Sequence, residues 1–368
     1  AALAMTFLNL TDPRAVRTMR LALARWGFLA VNLAHAAFQR LGLLGESGRP
    51  PSASGDTPAL RSQVVELVRR PLRVEVPKQT TRALLGLEEA GTVPILRDPA
   101  RAGEESEAVF YFPGCGSERL FSDVALAALA MLYDTGVQTV LPPGYLCCGY
   151  PQQAAGLEEK AHAISTANRV LFHRVANTLN YLDIRTVLVS CGTCIDQLLK
   201  YEFERIFPGC RLLDIHEYLM EKGVSLEGAG RRYLFHDPCH SPMKIHDPVT
   251  VTATLLGDEV RLSDRCCGEA GTLGTARPDI AEQIRFRKAE ELKRGLTGLT
   301  GRDRVESGEV KILTTCPACQ QGLSRYRDET GLATDYVVVE LARRRLGDGW
   351  RDAFVQRVTR GGIERVLL

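Results

Sequence analysis

No run of 18 uncharged apolar residues occurs anywhere in the chain, so nothing in it is long and apolar enough to be predicted as a membrane-spanning helix. The nearest approach, Leu21 to Leu44, is interrupted by Arg25, Asn32, His35 and Arg40. There is no basic stretch followed by an apolar run and a small-residue cleavage site, so no secretory signal is read. A large charge imbalance is also missing. The 46 Lys and Arg nearly balance the 44 Asp and Glu, leaving a formal +2 that gives no reason to expect a nucleic-acid partner. Residues 1–107 contain no cysteine at all. With 368 residues, 45% apolar and 24% charged, the chain can build ordinary packed cores, and two or three domains are expected.

Beyond residue 107 there are eleven cysteines, and ten of them form a pattern that occurs twice. A lone cysteine ends an apolar run, Val109-Phe110-Tyr111-Phe112-Pro113-Gly114-Cys115, and then Tyr233-Leu234-Phe235-His236-Asp237-Pro238-Cys239. A vicinal pair precedes glycine in Cys147-Cys148-Gly149 and in Cys266-Cys267-Gly268. A CxxC closes a further apolar run in Cys191-Gly192-Thr193-Cys194 and in Cys316-Pro317-Ala318-Cys319. Cys115 and Cys239, Cys147 and Cys266, and Cys191 and Cys316 are separated by 124, 119 and 125 residues, so a tandem duplication is expected. Only Cys210 stands outside the pattern. So many clustered thiols in a chain of this size do not suggest a small secreted disulfide scaffold; they suggest metal binding in a cytoplasmic protein.

The predicted organisation is α/β. Residues 1–107 are expected to form a mainly helical segment and linker, 108–226 and 227–347 two pseudo-repeated domains with parallel sheets, and 348–368 a C-terminal helical tail. Thr11-Asp12-Pro13 has the composition of a helix start. Helical periodicity from Ala15 to about Leu44 suggests one long helix with a break near Gly27, packed on its own domain or docking a partner. Gly45 to Gly55 is a Gly/Pro/Ser-rich linker, and 56–107, with Pro71, Pro77 and Pro94, has the look of an irregular connector. From 108 onward, strands are predicted at about 108–112, 137–141, 185–190, 211–214, 232–236, 259–262, 310–315 and 336–339, alternating with helices. A helix is predicted over 278–294, a polar loop over 295–308, and a last helical segment over 351–360.

Each cysteine motif follows the C-terminal end of a predicted strand. In a parallel sheet those ends share one edge, where α/β proteins bind ligands. The five thiols of each repeat can therefore converge. The helix expected after each CxxC would point its first amides at the same place. Three chemistries compete for such a set. Structural zinc takes four ligands in a tetrahedron. A redox dithiol needs only the CxxC. An iron–sulfur cluster has several irons and so can use both members of a vicinal pair.

As a doubled pattern these strings resemble the CCG, or cysteine-rich domain, family. The resemblance covers about residues 108–345 and includes His236-Asp237-Pro238-Cys239-His240 and Cys266-Cys267-Gly268-Glu269-Ala270-Gly271. Its members include the iron–sulfur subunits of glycolate oxidase, of lactate utilisation and of anaerobic glycerol-3-phosphate dehydrogenase, and a subunit of heterodisulfide reductase. The resemblance implies two iron–sulfur clusters of [4Fe–4S] type, cubane or non-cubane. Cys115, Cys147, Cys148, Cys191 and Cys194 would hold one, and Cys239, Cys266, Cys267, Cys316 and Cys319 the other. It implies electron transfer for a flavin-dependent 2-hydroxyacid oxidoreductase of D-lactate or glycolate type. FAD would sit on an upstream domain or a partner flavoprotein dehydrogenase, and the acceptor would be quinone or another, membrane-associated carrier. The alternatives are thiol–disulfide redox catalysis of the heterodisulfide reductase kind and a zinc-stapled binding module. Compared with the family, the gaps from Cys148 to Cys191 and from Cys267 to Cys316 are long and that from Cys239 to Cys266 is short, which bears on cluster type rather than presence. The ferredoxin segment C-x-x-C-x-x-C-x-x-x-C-P is missing. The first residue is Ala1, so the chain is expected to be the C-terminal part of an oxidase–ferredoxin–CCG fusion, or to meet the ferredoxin-type module on a partner. The expected location is cytoplasmic, including peripheral attachment to the inner face of the membrane.

Outside the cysteines, His240 is the candidate catalytic residue, for proton transfer or hydrogen bonding to sulfur, and His236 is expected to shape the strand exit. Lys244 and His246 suggest an anionic site or a solvated loop. Glu269 suggests a proton carrier or a turn cap. Gly268 to Gly274 does not fit G-x-G-x-x-G, so no dinucleotide loop is read.

Overall fold

The apolar runs that end at cysteines become the central strands of two sheets. The structure, a computed structural model, describes residues 17–44, 55–103, 105–269, 273–306 and 308–368. Ten strands are present among them: β1 Thr92–Leu96, β2 Ala108–Phe112, β3 Gln138–Val140, β4 Ile184–Val189, β5 Arg211–Asp214, β6 Arg232–His236, β7 Glu259–Leu262, β8 Lys311–Thr314, β9 Ala333–Tyr336 and β10 Ile363–Leu367. One sheet has the order β10-β1-β3-β2-β4-β5 and the other β7-β6-β8-β9. In both, the strand before the lone cysteine lies between the strand before the CCG and the strand before the CxxC. The repeat in sequence is thus a repeat in topology. β2 pairs in parallel with β3 and β4, and β6 in parallel with β7 and β8. β2 is buried along its whole length, which is why it reads as a continuous apolar run rather than an alternating one.

The chain forms two compact units. The first takes the described residues of 1–76 with 230–239 and 258–335; the second takes 77–229, 240–257 and 336–368. The chain therefore passes from one unit to the other five times. In the first unit, the sheet β7-β6-β8-β9 is covered by the helix Pro278–Thr300, on which Leu60–Val68 packs. Arg17–Arg40 docks in turn through Asn32, which exchanges two hydrogen bonds with the Leu72 backbone, and His35, which meets the Val68 carbonyl. In the second unit the core is an aromatic stack. Phe172, on the helix Glu158–Thr178, meets Phe110 of β2 edge-on at 5.1 Å and stacks on Phe203 at 5.7 Å. Among the described residues no helix is long and apolar enough to cross a membrane.

Several sequence expectations change. Gly27 does not break Arg17–Arg40, which is one helix; it leaves Trp26, Leu29 and Leu33 exposed. Thr11 to Pro13 and most of the Gly/Pro/Ser linker lie outside the described residues. The stretch 56–107 is not an irregular connector: it holds Leu60–Val68, Thr81–Leu85 and β1. Pro94 argues against a central strand. β1 accommodates it because β3 pairs only with Ile95 and Leu96. The polar loop expected from Gly295 is the continuation of Pro278–Thr300. There the missing Cβ of Gly295 lets Leu234 of β6 approach, and close packing outweighs poor helix propensity. The strand expected at 336–339 lies earlier, as β9, and Val337–Leu346 is a helix whose three leading valines are buried. Burial overrides their β preference. The C-terminal helix is present as Trp350–Thr359, but a strand, β10, follows and pairs antiparallel with β1.

Candidate metal centres

Three parallel strands deliver the first set of thiols. Cys115 lies three residues past β2, and Cys147 and Cys148 lie in the loop after β3. Cys191 is the N-cap of Gly192–Leu198, with Cys194 in its first turn. The Cys115 and Cys147 sulfurs are 3.9 Å apart. Cys148 accepts from both Cys147 and Cys194, and Cys194 also donates to Cys191, so the five thiols form one connected group. Four of them are buried and Cys147 is half-buried. All are free thiols, and the 3.9 Å separation is far beyond a disulfide bond of about 2.05 Å.

The second set is built in the same way on β6, β7 and β8. Cys267 and Cys319 lie 3.4 Å apart, and Cys266 and Cys316 are hydrogen-bonded to Cys267 and Cys319 respectively. Cys239 differs from its counterpart. Cys115 is buried, whereas Cys239 is exposed and interacts with the set electrostatically, through Cys266.

The backbone supports both groups alike. The amides of Gly149 and Gly268 donate to the sulfurs of Cys147 and Cys266, at 3.4 and 3.5 Å. The hydroxyls of Tyr201 and Tyr326 donate to the carbonyls of Cys148 and Cys267, at 3.0 and 3.1 Å. Sequence reasoning does not single out these tyrosines. The signal is nevertheless present: each stands seven residues after the last cysteine of a CxxC, at the same 125-residue offset.

The electrostatics also repeat. Hydrogen bonds from Cys147 and Cys194 lower the Cys148 thiol to about 6, against the opposing effect of burial. Hydrogen bonds from Cys266 and Cys319 hold Cys267 well below the usual thiol range, again against burial. Cys115 pulls Cys147 down, but Cys148 and burial outweigh it and push Cys147 up to about 12. In each set the second cysteine of the vicinal pair is held below the two thiols that hydrogen-bond to it, and the thiolate is the metal-binding form.

These residues fit a metal–sulfur group. The donors are all soft sulfur. Nε2 of Gln152 is a buried amide donor without a partner, and this side chain lies 4.0 Å from the Cys147 sulfur through its oxygen. Gly114 shapes the opposite wall. Its φ is +73°, and a Cβ there would lie 2.7 Å from the Cys194 sulfur. Gly114→Ala is therefore expected to displace that thiol and reduce the metal held per chain toward that of the second set alone. Unchanged metal content in the purified variant would contradict this.

The remaining candidates have specific partners. His240 binds Asp196 through Nδ1 and meets the Tyr150 hydroxyl through Nε2 at 3.1 Å. Asp196 follows Cys194 by two residues and Tyr150 follows Cys148 by two, so the ring lies beside the first set of thiols. Lys244 pairs with Asp196 at 2.9 Å and His246 with Glu221 at 3.2 Å, so both side chains already face carboxylates. Glu269 is buried between Arg285 and Arg325, each at 3.1 Å, and accepts from Gln321 at 2.6 Å. Arg70 extends this network to Glu282 and Glu329. Cys210 is half-buried, and burial pushes its thiol up to about 11.

A family profile described as a cysteine-rich domain matches residues 109–198 and again 233–324, and one described as a domain of unknown function matches 324–368. The chain is similar to an uncharacterized iron–sulfur protein of Methanococcus maripaludis, at 26% identity over 72% of this chain and 50% of that protein. It is similar to a subunit of the fumarate reductase (CoM/CoB) of Methanothermobacter marburgensis, at 26% identity over 60% of this chain and 42% of that one. It is also similar to a probable glycolate oxidase iron–sulfur subunit of Bacillus subtilis, at 23% identity over 65% and 54%. The chain spans about half the length of these relatives.

Proposed function

Because the chain belongs to the cysteine-rich domain family, whose members similar to it are iron–sulfur subunits of oxidoreductases, we propose that it is the electron-transfer module of a flavin-dependent 2-hydroxyacid oxidoreductase of the D-lactate or glycolate type. Each repeat, 108–226 and 227–347, would hold one [4Fe–4S]-type cluster on its own five cysteines. The observation that carries this reading is the connected group of five thiols in the first repeat, matched by the thiols of the second. Five soft donors including a vicinal pair exceed what one tetrahedral zinc takes, and they suit a cluster with several irons.

When bound, such clusters supply one-electron storage and transfer. The chain's own residues do the rest. Cys148 and Cys267 provide thiolates held below the usual thiol range. Tyr201 and Tyr326 fix the peptide that carries each of them. The Gly149 and Gly268 amides stabilise negative charge on sulfur. Electrons would arrive from an FAD-bearing dehydrogenase through a ferredoxin-type module, fused upstream or separate. They would leave for quinone or another carrier at the cytoplasmic face of the membrane.

The first test is iron and acid-labile sulfide after anaerobic purification, with an EPR spectrum of the reduced sample. About eight irons with matching sulfide per chain are expected. Zinc without sulfide would leave a zinc-stapled module instead. One feature favours a second reading, disulfide reduction of the heterodisulfide reductase kind: Cys239 is exposed and Cys266 half-buried, so the second set is open to a substrate. In that reading His240, next to Cys239 in the chain, is the candidate proton donor. Turnover of a disulfide by the reduced chain alone would favour it; no turnover would leave the relay ahead.

A further inference from the structure

The two thiol sets differ at one buried position. β2 ends in Phe112, three residues before Cys115, and β6 ends in His236, three residues before Cys239. Phe112 lies in the apolar core of the second unit together with Cys148 and Cys194. His236 occupies the equivalent place beside Cys267 and Cys319 and is 1% exposed. Neither of its ring nitrogens makes a hydrogen bond of normal geometry to the protein. The ring interacts instead with the Cys267 sulfur, a weak acceptor that compensates little of the hydration lost on burial.

The ring does have company of another kind. A ring nitrogen of His236 and the sulfurs of Cys267 and Cys319 all lie within 4.8 Å of one another. The two sulfurs are 3.4 Å apart. Around one tetrahedral metal atom, with bonds of about 2.3 Å to sulfur and about 2.0 Å to nitrogen, neighbouring donors stand roughly 3.5–3.8 Å apart. The two sulfurs stand at about that spacing, and the ring nitrogen, within 4.8 Å of both, is near enough to belong to the same metal–sulfur group. Their elements hold them there. β6 fixes the histidine, the Tyr326 hydroxyl fixes the Cys267 carbonyl, and Cys319 sits in the first turn of Pro317–Ser324.

We propose that His236 is a nitrogen ligand of the second site, binding metal there through one ring nitrogen, beside the sulfurs of Cys267 and Cys319. The proposal rests on the iron–sulfur reading above and adds to it an inequality between the sites. The first site has no donor at this position, where Phe112 stands.

The test uses the full chain with all histidines labelled with ¹⁵N, purified anaerobically and reduced, with iron and sulfide measured on the same sample. Pulsed EPR is expected to show a nitrogen coupling of the strength given by a direct metal–nitrogen bond. That coupling should vanish in His236→Phe, which installs the residue the first repeat carries. Iron and sulfide present with only the weak coupling of a hydrogen-bonded ring, or a strong coupling that survives in His236→Phe, would overturn the assignment and leave the iron–sulfur reading standing. Absence of iron and sulfide would overturn both. The coupling in the unsubstituted protein decides the matter even if the variant does not fold.

Discussion

Serine in place of Cys148 is expected to remove about half of the iron and sulfide bound per chain, and serine in place of Cys267 the other half. These two positions are chosen because each receives hydrogen bonds from two neighbouring thiols, which hold it below the usual thiol range. A serine hydroxyl does not ionise near neutral pH, so the site loses an anionic donor. The effects should be separable, because each set of thiols is built on its own sheet. Cys210→Ser serves as the reference and should retain all of the iron, since that thiol lies outside both sets. Full iron content in both Cys148→Ser and Cys267→Ser would remove the thiol groups from consideration as cluster sites.

The second large effect concerns stability. Glu269→Ala is expected to destabilise the chain by about 3–5 kcal/mol, because it leaves buried guanidinium groups without their carboxylate. Glu269 contacts both Arg285 and Arg325, and all three side chains are buried. Burial alone would raise the Glu269 carboxyl, but Arg325 and Arg285 outweigh it and hold the group below the usual glutamate value. A depressed carboxyl contributes stability that is complete above its unfolded value and is lost as pH falls through the folded one. The unsubstituted protein should therefore lose stability on acidification below about pH 4, and Glu269→Gln should lack that part of the acid loss. Denaturant unfolding at neutral and acidic pH measures both effects. An alanine variant as stable as the parent would show that the network is dispensable.

The cysteine pattern makes the sites legible because the lone cysteines and the CxxC motifs follow β2, β6, β4 and β8, which are mostly buried and so read as apolar runs. Pro248–Leu256 and β7 lie where helical and strand signals place them, since Asp247 with Pro248 marks the helix start and Gly257 its end. The features that escape sequence reading depend on partners distant in the chain. β10, Ile363–Leu367, is short and charged and becomes a strand by pairing with β1 across some 270 residues. β1 is hidden by its own proline. Glu269 resembles a proton carrier in the sequence because nothing nearby announces Arg325 or, beyond it, Arg70. His236 reads there as a residue shaping a strand exit. Its distinction lies in where the ring sits relative to Cys267 and Cys319, and spacing along the chain does not give that.

The five passages of the chain between its compact units constrain how such a protein can be altered. A duplicated gene usually leaves two modules that can be cut apart, swapped or expressed singly. Here, severing the chain between 226 and 227 would release a second repeat whose strands belong to one unit while its helices Pro248–Leu256 and Val337–Leu346 belong to the other. Neither fragment would carry a complete core. Recombination at the repeat boundary should therefore be selected against, and the two halves would be inherited and would diverge as a pair. Under that arrangement one half can specialise, as at His236 and Phe112, while the other preserves the ancestral form.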